Sequence, residues 1–286
     1  MSSELHPVIA NRAVTLHILK AFHLHTSKKL GQNFLIDSSI VQGIVSAAEL
    51  SAEDSVLEIG PGIGTLTQGM AETGADITAV ELDKKLPDVL AETLKGYENV
   101  RIVQGDILKV DIPELMGSSP FKVVANLPYY ITTPILMALL ERKLPITRIV
   151  TMVQKEVAER MTASPGSKAY GALSVAVQYY TEPDIVLNVP PRSFLPEPEV
   201  DSVVISCSVR EKPAVAVADE ALFFRIVRGA FGQRRKTLSN ALKGAGFQKD
   251  YIERALTEAG IDLKRRGETL SLEEFAAITD AFIKNI

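Results

Sequence analysis

The sequence predicts an α/β fold built on a mostly parallel sheet, followed by a separate helical region, and three observations carry that expectation. Apolar segments of strand periodicity alternate with segments of helical periodicity from Ser38 to Val153. After Pro183, two strand-like segments are joined by a Pro-rich connection too short to hold a crossover helix. Beyond the linker Glu211-Lys-Pro-Ala the pattern becomes purely helical.

Each element has a local reason. Asp37 is placed to N-cap a helix over about Ser38–Glu49, with Ile40, Val41, Ile44, Val45 and Ala48 on one face. The strand Ser55–Ile59 runs into a Gly-rich turn, and a helix follows from about Thr65. A second strand, Asp76–Val80, precedes a helix over Lys84–Leu94, where Pro87 sits near the first turn and is tolerated. Further strands are expected at Val100–Val103, Lys122–Ala125 and Arg148–Val153, with helices between them, which makes βαβ units. Asp184–Val189 and Ser202–Arg210 then form an antiparallel pair at the sheet edge. Candidate helices of the last region are Glu220–Phe231, Lys236–Gly244, Lys249–Glu258 and Leu272–Lys284, the last opened by the capping box Ser271-Leu-Glu-Glu274. The expected division is an arm or helix over 1–30, an α/β catalytic domain over 31–211 and a helical domain over 212–286.

Composition restricts the function classes. Hydrophobic residues make up 46% and charged residues 23% of 286 positions, enough for packed cores and against global disorder. The net charge of −4 by itself argues against a nucleic-acid partner, but its distribution is polarised. No acid occurs from Leu5 to Leu35, where Arg12, Lys20, Lys28 and Lys29 are basic. Seven basic residues and no acid fall in the 25 positions from Arg225 to Lys249: Arg225, Arg228, Arg234, Arg235, Lys236, Lys243 and Lys249. Such runs are either solvated helix faces or a surface for a phosphate backbone, which senses the local field rather than the net charge. The lone Cys207 lies in an apolar run and allows no disulfide within the chain, which fits a reducing compartment. With no apolar h-region and no membrane-length apolar run, a soluble cytoplasmic protein is expected. All four histidines lie within the first 25 residues without companions at ligand spacing, so no metal site is expected.

Three strand ends carry a nucleoside-binding pattern. Glu58-Ile-Gly60-Pro-Gly62-Ile-Gly64 closes one strand and opens a helix; its glycines permit a sharp turn and close approach of a ligand. Glu81 ends the next strand, 17 residues beyond Gly64, where a carboxylate can accept both ribose hydroxyls. Gly105-Asp106-Ile107 follows the third strand; Asp106 can accept from an adenine amine while Ile107 packs on the ring. The G-x-G-x-G spacing and the edge hairpin favour a single nucleoside over a dinucleotide. At the fourth strand end stands Asn126-Leu127-Pro128-Tyr129. An amide oxygen, a carbonyl held outward before a proline, and an aromatic face are what grip a planar base by its exocyclic amine. Alone, the tetrapeptide also reads as a plain strand end with a proline turn.

Taken together, Glu58-Ile-Gly-Pro-Gly-Ile-Gly64, Glu81-Leu-Asp83, Gly105-Asp106 and Asn126-Leu-Pro-Tyr129 resemble the S-adenosylmethionine-dependent RNA adenine N6-dimethyltransferases. Lys29-Leu-Gly-Gln-Asn-Phe-Leu35, Gln154-Lys-Glu-Val-Ala-Glu-Arg160, Phe194-Leu-Pro-Glu-Pro-Glu-Val-Asp-Ser202, Gln233-Arg-Arg-Lys-Thr-Leu238 and Lys264-Arg-Arg-Gly-Glu268 are similar to the KsgA (RsmA) branch. That branch dimethylates two adjacent adenines in the 3′-terminal hairpin of 16S ribosomal RNA and acts in small-subunit biogenesis. The resemblance implies a Rossmann-like class I fold with seven strands, the last one antiparallel, and a small helical C-terminal domain. It implies S-adenosyl-L-methionine as cofactor, S-adenosyl-L-homocysteine as product, and immature small-subunit RNA as partner, with a monomer expected. By the same resemblance, cofactor contacts fall to Gln32, Asn33, Leu35, Glu58, Gly60, Gly62, Gly64, Glu81, Leu82, Gly105, Asp106, Ile107 and Asn126. The target base falls to Asn126, Leu127, Pro128 and Tyr129, and Phe194 either covers its other face or packs in the core. RNA contacts fall to Lys28, Lys29, Arg225, Arg228, Arg234, Arg235, Lys236, Lys264, Arg265 and Arg266. Two rival readings remain: an Erm-type 23S ribosomal RNA methyltransferase, and an assembly factor that acts mainly by binding.

Overall fold

A computed structural model of the chain describes residues 7–24 and 32–285. Helix α1 (Arg12–Ala21) is capped by Asn11, whose side chain accepts from the amides of Ala13 and Val14. A two-residue strand β1 (Phe34–Leu35) leads into α2 (Ser38–Ala48), and the Asp37 carboxylate accepts from the Ser39 amide at 3.1 Å as the expected N-cap. The alternation that follows is β2 (Ser55–Ile59), α3 (Thr65–Ala71), β3 (Asp76–Glu81), α4 (Leu86–Thr93), β4 (Val100–Gln104), α5 (Ile112–Met116), β5 (Phe121–Asn126), α6 (Thr132–Glu141) and β6 (Ile146–Gln154). Then come α7 (Lys155–Met161), α8 (Ala172–Tyr180), β7 (Thr181–Val189), β8 (Phe194–Leu195) and β9 (Ser202–Val209). The chain finishes with α9 (Glu220–Gly232), α10 (Leu238–Gly244), α11 (Lys249–Glu258) and α12 (Leu272–Asn285).

Seven strands form one sheet in the order β4-β3-β2-β5-β6-β9-β7. Pairings β4/β3, β3/β2, β2/β5 and β5/β6 are parallel, and β9 runs antiparallel to β6. The mostly parallel sheet and its antiparallel edge are as the pattern of segments predicts. The central strands are buried on both faces, with Val56, Leu57, Val124 and Val150 at 1% exposure or less. A second, two-stranded sheet pairs β1 with β8, in register Phe34↔Leu195 and Leu35↔Phe194. Two residues carry no periodicity, so neither strand was legible in the sequence.

Helices α2 and α3 lie close enough that a Cβ built on Gly69 would stand 2.4 Å from Val41 Cγ1. Gly69 therefore serves as a spacer rather than as a helix breaker.

Two compact units divide the chain: residues to Ala158 with Asp184–Val209, and Glu159–Pro183 with Arg210–Ile286. The boundary near residue 211 falls one or two residues from the break at 209/210, but the helical unit also draws in Glu159–Pro183, which the sequence division left with the sheet. Aromatic packing explains it. Tyr179 and Tyr180 on α8 lie 5.0 Å from Phe223 and 5.6 Å from Phe224 on α9, and the Tyr170 hydroxyl donates to the Leu270 carbonyl at 2.9 Å. Within this unit the expected capping box closes on α12: the Ser271 amide donates to Glu274 Oε2 at 2.9 Å, and the Glu274 amide to Ser271 Oγ at 3.2 Å.

Alanine in place of glycine ordinarily favours a helix by about 1 kcal/mol. At position 69 the added methyl instead meets Val41, and overpacking costs roughly 1–3 kcal/mol. Gly69→Ala is expected to lower the melting temperature, and Val41→Ala combined with it to recover part of the loss, as read by calorimetry.

Candidate active site

Parallel pairing sets the site. The registers Ile59↔Val80, Ile59↔Ala125 and Glu81↔Gln104 bring the carboxyl ends of β2, β3, β4 and β5 to one edge of the sheet. The loops that leave these ends enclose a cleft of about 1170 Å³, part of it open to solvent. Its wall is formed by Gln32–Leu35, Glu58–Gly62, Glu81–Asp83, Gly105–Leu108 and Asn126–Ile131.

The glycine loop is held by backbone geometry. Gly60, Gly62 and Gly64 all have positive φ, at 70°, 61° and 90°, a region that residues with a Cβ seldom adopt. Nothing lies within 4 Å of a Cβ built on Gly60. Two amides grip Glu81, with Gly62 N at 3.2 Å from Oε2 and Asp83 N at 2.7 Å from Oε1. Gln32 Nε2 donates to Asp83 Oδ2 at 3.1 Å, which ties the segment before β1 to the end of β3. Asp106 Oδ1 accepts from the Leu108 amide at 3.1 Å, and its carboxylate stands 3.5 Å from Lys109 Nζ.

At the end of β5, Asn126 Nδ2 donates to the Asn33 carbonyl at 3.4 Å, which leaves Oδ1 as the acceptor end of the amide. The Pro128 carbonyl is occupied within its own turn by the Ile131 amide and Thr132 Oγ1, each at 3.1 Å. The Tyr129 hydroxyl meets Ser202 Oγ at 2.5 Å, and burial raises the phenol above its ordinary pKa.

Charge in the cleft is one-sided. Glu58, Glu81, Asp83 and Asp106 line it, and among the described lining residues there is no Lys, Arg or His. Glu58 is 1% exposed and its Oε2 has no hydrogen-bond partner. Burial pushes its carboxyl up to about 8, with the neighbouring Glu81 adding to the rise, so it stays largely protonated at neutral pH. Burial also raises Glu81, against the two amides that lower it. Such a wall attracts a cation and repels a pyrophosphate, which sets the dinucleotide reading aside. Among the described residues no group of three His, Cys, Asp or Glu is placed to hold a metal ion.

Nearly every residue the sequence assigned to the cleft reaches its wall: Gln32, Asn33, Leu35, Glu58, Gly60, Gly62, Glu81, Leu82, Gly105, Asp106, Ile107 and Asn126 through Tyr129. Two do not. Gly64 stands one step back as the N-cap of α3. Phe194 is 1% exposed, in the core cluster with Leu35, Ile44 and Val204. Asp83 and Ser202 stand in the quoted motifs without an assigned role: Asp83 accepts from Gln32, and the link of Ser202 to Tyr129 spans 73 positions, which no local pattern reports.

The basic candidates fall into two groups. Three have structural duties: Arg225 lies 4.5 Å over the Phe247 ring, Arg234 donates to the Lys168 carbonyl at 2.8 Å, and Arg265 forms a two-pronged pair with Glu274. Arg228, Arg235, Lys236, Lys264 and Arg266 are exposed, as are Arg225 and Arg234. Lys28 and Lys29 lie outside the described residues.

Comparison with known proteins agrees with this geometry. The family model for ribosomal RNA adenine dimethylase matches residues 23–284. A protein of Moorella thermoacetica named ribosomal RNA small subunit methyltransferase A is 53% identical over 280 residues, covering 95% of this chain and 97% of its own. One of the same name from Clostridioides difficile is 50% identical over 277 residues, covering 95% and 96%. Among solved structures, a dimethyladenosine transferase from Plasmodium falciparum superposes with a TM-score of 0.76 at 26% identity, covering 88% of this chain and 98% of its own. The 23S rRNA methyltransferase ErmE superposes at 0.68 with 28% identity, covering 88% and 100%. With the acid-walled cleft, the Asn126–Tyr129 turn at its end and a family match over most of its length, the chain belongs to the ribosomal RNA adenine dimethylase family.

Proposed function

We propose that the protein transfers methyl groups from S-adenosyl-L-methionine to the N6 of two adjacent adenines in the 3′-terminal hairpin of 16S ribosomal RNA, within the immature small subunit in the cytoplasm. The observation that carries this reading is a cation-attracting cleft that ends at an amide, Asn126, whose donor side is already engaged by Asn33. Relatives of about 50% identity carry a small-subunit name, whereas ErmE, the 23S enzyme, stands at 28%; that contrast favours the small subunit.

The residues fit the cofactor. S-adenosylmethionine carries an ammonium and a sulfonium, and the wall offers the carboxylates of Glu81, Asp83 and Asp106 beside the protonated Glu58, with no Lys, Arg or His among the described lining residues. Glu81 would hold the ribose, Asp106 and Ile107 the adenine, and the loop at Gly60 would lie along the methionine part, with Gln32, Asn33, Leu35 and Leu82 closing over it. When bound, the cofactor supplies an electrophilic methyl group on sulfur.

The base side falls to Asn126 and its neighbours. An adenine N6 lone pair is delocalised into the ring and is a weak nucleophile. Hydrogen bonds from N6 to Asn126 Oδ1 and to the Leu127 carbonyl favour a pyramidal nitrogen and localise its lone pair. Tyr129 stacks on the extruded base. No strong base is required, because alkylation acidifies the departing proton and water can take it. Once one hydrogen has been replaced, a single acceptor suffices for the second transfer.

Labelled methyl donor supplied with purified unmethylated small or large subunits, followed by mapping of the modified base, tests the assignment; label in large-subunit RNA alone would establish the ErmE-like alternative. Asn126→Ala is expected to abolish transfer while cofactor affinity changes by no more than about tenfold, roughly 1.4 kcal/mol; unchanged turnover refutes the role of the amide. Glu58 makes a separate prediction. Its folded pKa, about 8, lies above the unfolded value near 4.5, so its contribution to stability is lost as pH rises through that window. Ligand-free protein should lose thermal stability from about pH 5 to 8, and Glu58→Gln should lose less. Replacing Arg228, Arg235 and Lys236 by Ala should weaken RNA binding and flatten its salt dependence by about two units of slope; an unaltered slope would make them structural.

A further inference from the structure

We infer that Ser202 is a positioning residue for base methylation, acting through its hydrogen bond to the Tyr129 hydroxyl. The inference rests on the proposal above that Tyr129 stacks on the target base.

Tyr129 lies in the turn between β5 and α6 rather than in a regular element. The described bonds that close this turn converge on the Pro128 carbonyl, and they leave the tyrosine ring its own two torsions. What fixes the ring from its far end is the contact of the hydroxyl with Ser202 Oγ at 2.5 Å. Ser202 itself is anchored by the sheet. It is the first residue of β9, fully buried, and paired in register with Gln154, the last residue of β6. The Lys155 amide donates to the Asp201 carbonyl at 3.0 Å and pins the entry to the strand. The serine hydroxyl is thus a fixed point on the antiparallel strand that reaches back to the end of the parallel ones. By contrast, the adjacent Tyr130 is 58% exposed.

A part-buried phenol and a buried serine hydroxyl each gain from a partner, so the pair has a structural use in any case. The catalytic use adds an orientation requirement. Stacking that places N6 against Asn126 tolerates only about 10–20° of ring rotation, and a hydrogen bond at the para position restrains that motion most effectively. Ser202 touches neither base nor cofactor in this scheme; it acts on the ring that does.

The test is a double-mutant cycle on methylation of unmethylated small subunits at saturating S-adenosylmethionine, with cofactor affinity and melting temperature measured in parallel. Ser202→Ala and Tyr129→Phe are each expected to lower kcat/KM for RNA about five- to tenfold, the scale of one uncharged hydrogen bond, with cofactor affinity unchanged within about twofold. The double variant should lose no more than the worse single variant, since both remove the same bond. Ser202→Thr, which keeps the hydroxyl, should recover most of the loss. Losses that multiply, or a lowered melting temperature with kcat/KM intact, would overturn the inference. Should Ser202→Ala fail to fold, Tyr129→Phe decides alone, and wild-type kcat/KM there also overturns it. Tyr129→Ala separates the two levels: full activity would remove the stacking proposal and this inference with it, whereas a large loss beside an additive cycle would remove only the inference.

Discussion

Parallel pairing of β4, β3, β2 and β5 is the constraint on which the rest of the site depends. Parallel strands present their carboxyl ends on one side, so the Gly60 loop, Glu81, Asp106 and Asn126 converge although they are spread over most of 70 positions of sequence. A slip of one residue at any of these pairings would move every side chain of the strand to the opposite face of the sheet and carry the residues at its end out of register with their neighbours. The near-complete burial of Val56, Leu57, Val124 and Val150 is what prevents that slip. Helices α2 and α3 press on the same core, with Gly69 allowing their approach.

Having gathered four acidic side chains, the fold places no Lys, Arg or His among the described residues lining the cleft, although Lys109 meets Asp106 from outside that lining. Glu58 responds by holding its proton, and Glu81 by taking two backbone amides while its affinity for a proton still rises. A site of this kind is poorly satisfied when empty and better satisfied when a positively charged ligand enters. The same preorganisation that costs stability in the free protein therefore favours a sulfonium donor over a nucleotide with phosphates. Asn126 stands where this electrostatic region meets the Pro128–Tyr129 turn, and its bond to Asn33 leaves Oδ1 as the acceptor end of the amide.

The helical unit follows a different logic. Its core holds an aromatic cluster of Tyr179, Tyr180, Phe223, Phe224 and Phe275, and the unit recruits α8 from a part of the chain that precedes the last strands. This separates the basic residues by task. Arg225, Arg234 and Arg265 contact a ring, carbonyls and a carboxylate within the unit, although Arg225 and Arg234 share the surface with Arg228, Arg235, Lys236, Lys264 and Arg266. A count of basic residues along the sequence cannot make that distinction, because a guanidinium that meets a ring or a carbonyl and one that meets a phosphate have the same local pattern.

Local chemistry made much of the protein legible from its residues alone. Periodicity defined the alternating elements; Asp37 and Ser271 announced helix starts; and glycines at 60, 62 and 64 announced a turn that demands positive φ. Those signals arise within a few residues, and a one-dimensional reading captures them. Long-range partners are another matter. The β1/β8 pair, Phe194 in the core instead of the cleft, the grouping of α8 with the C-terminal helices, and the bond between Tyr129 and Ser202 all join segments that are distant in sequence. Only the packed chain decides them, since each depends on which surfaces meet when apolar area is buried, and the residues involved look the same before and after that choice.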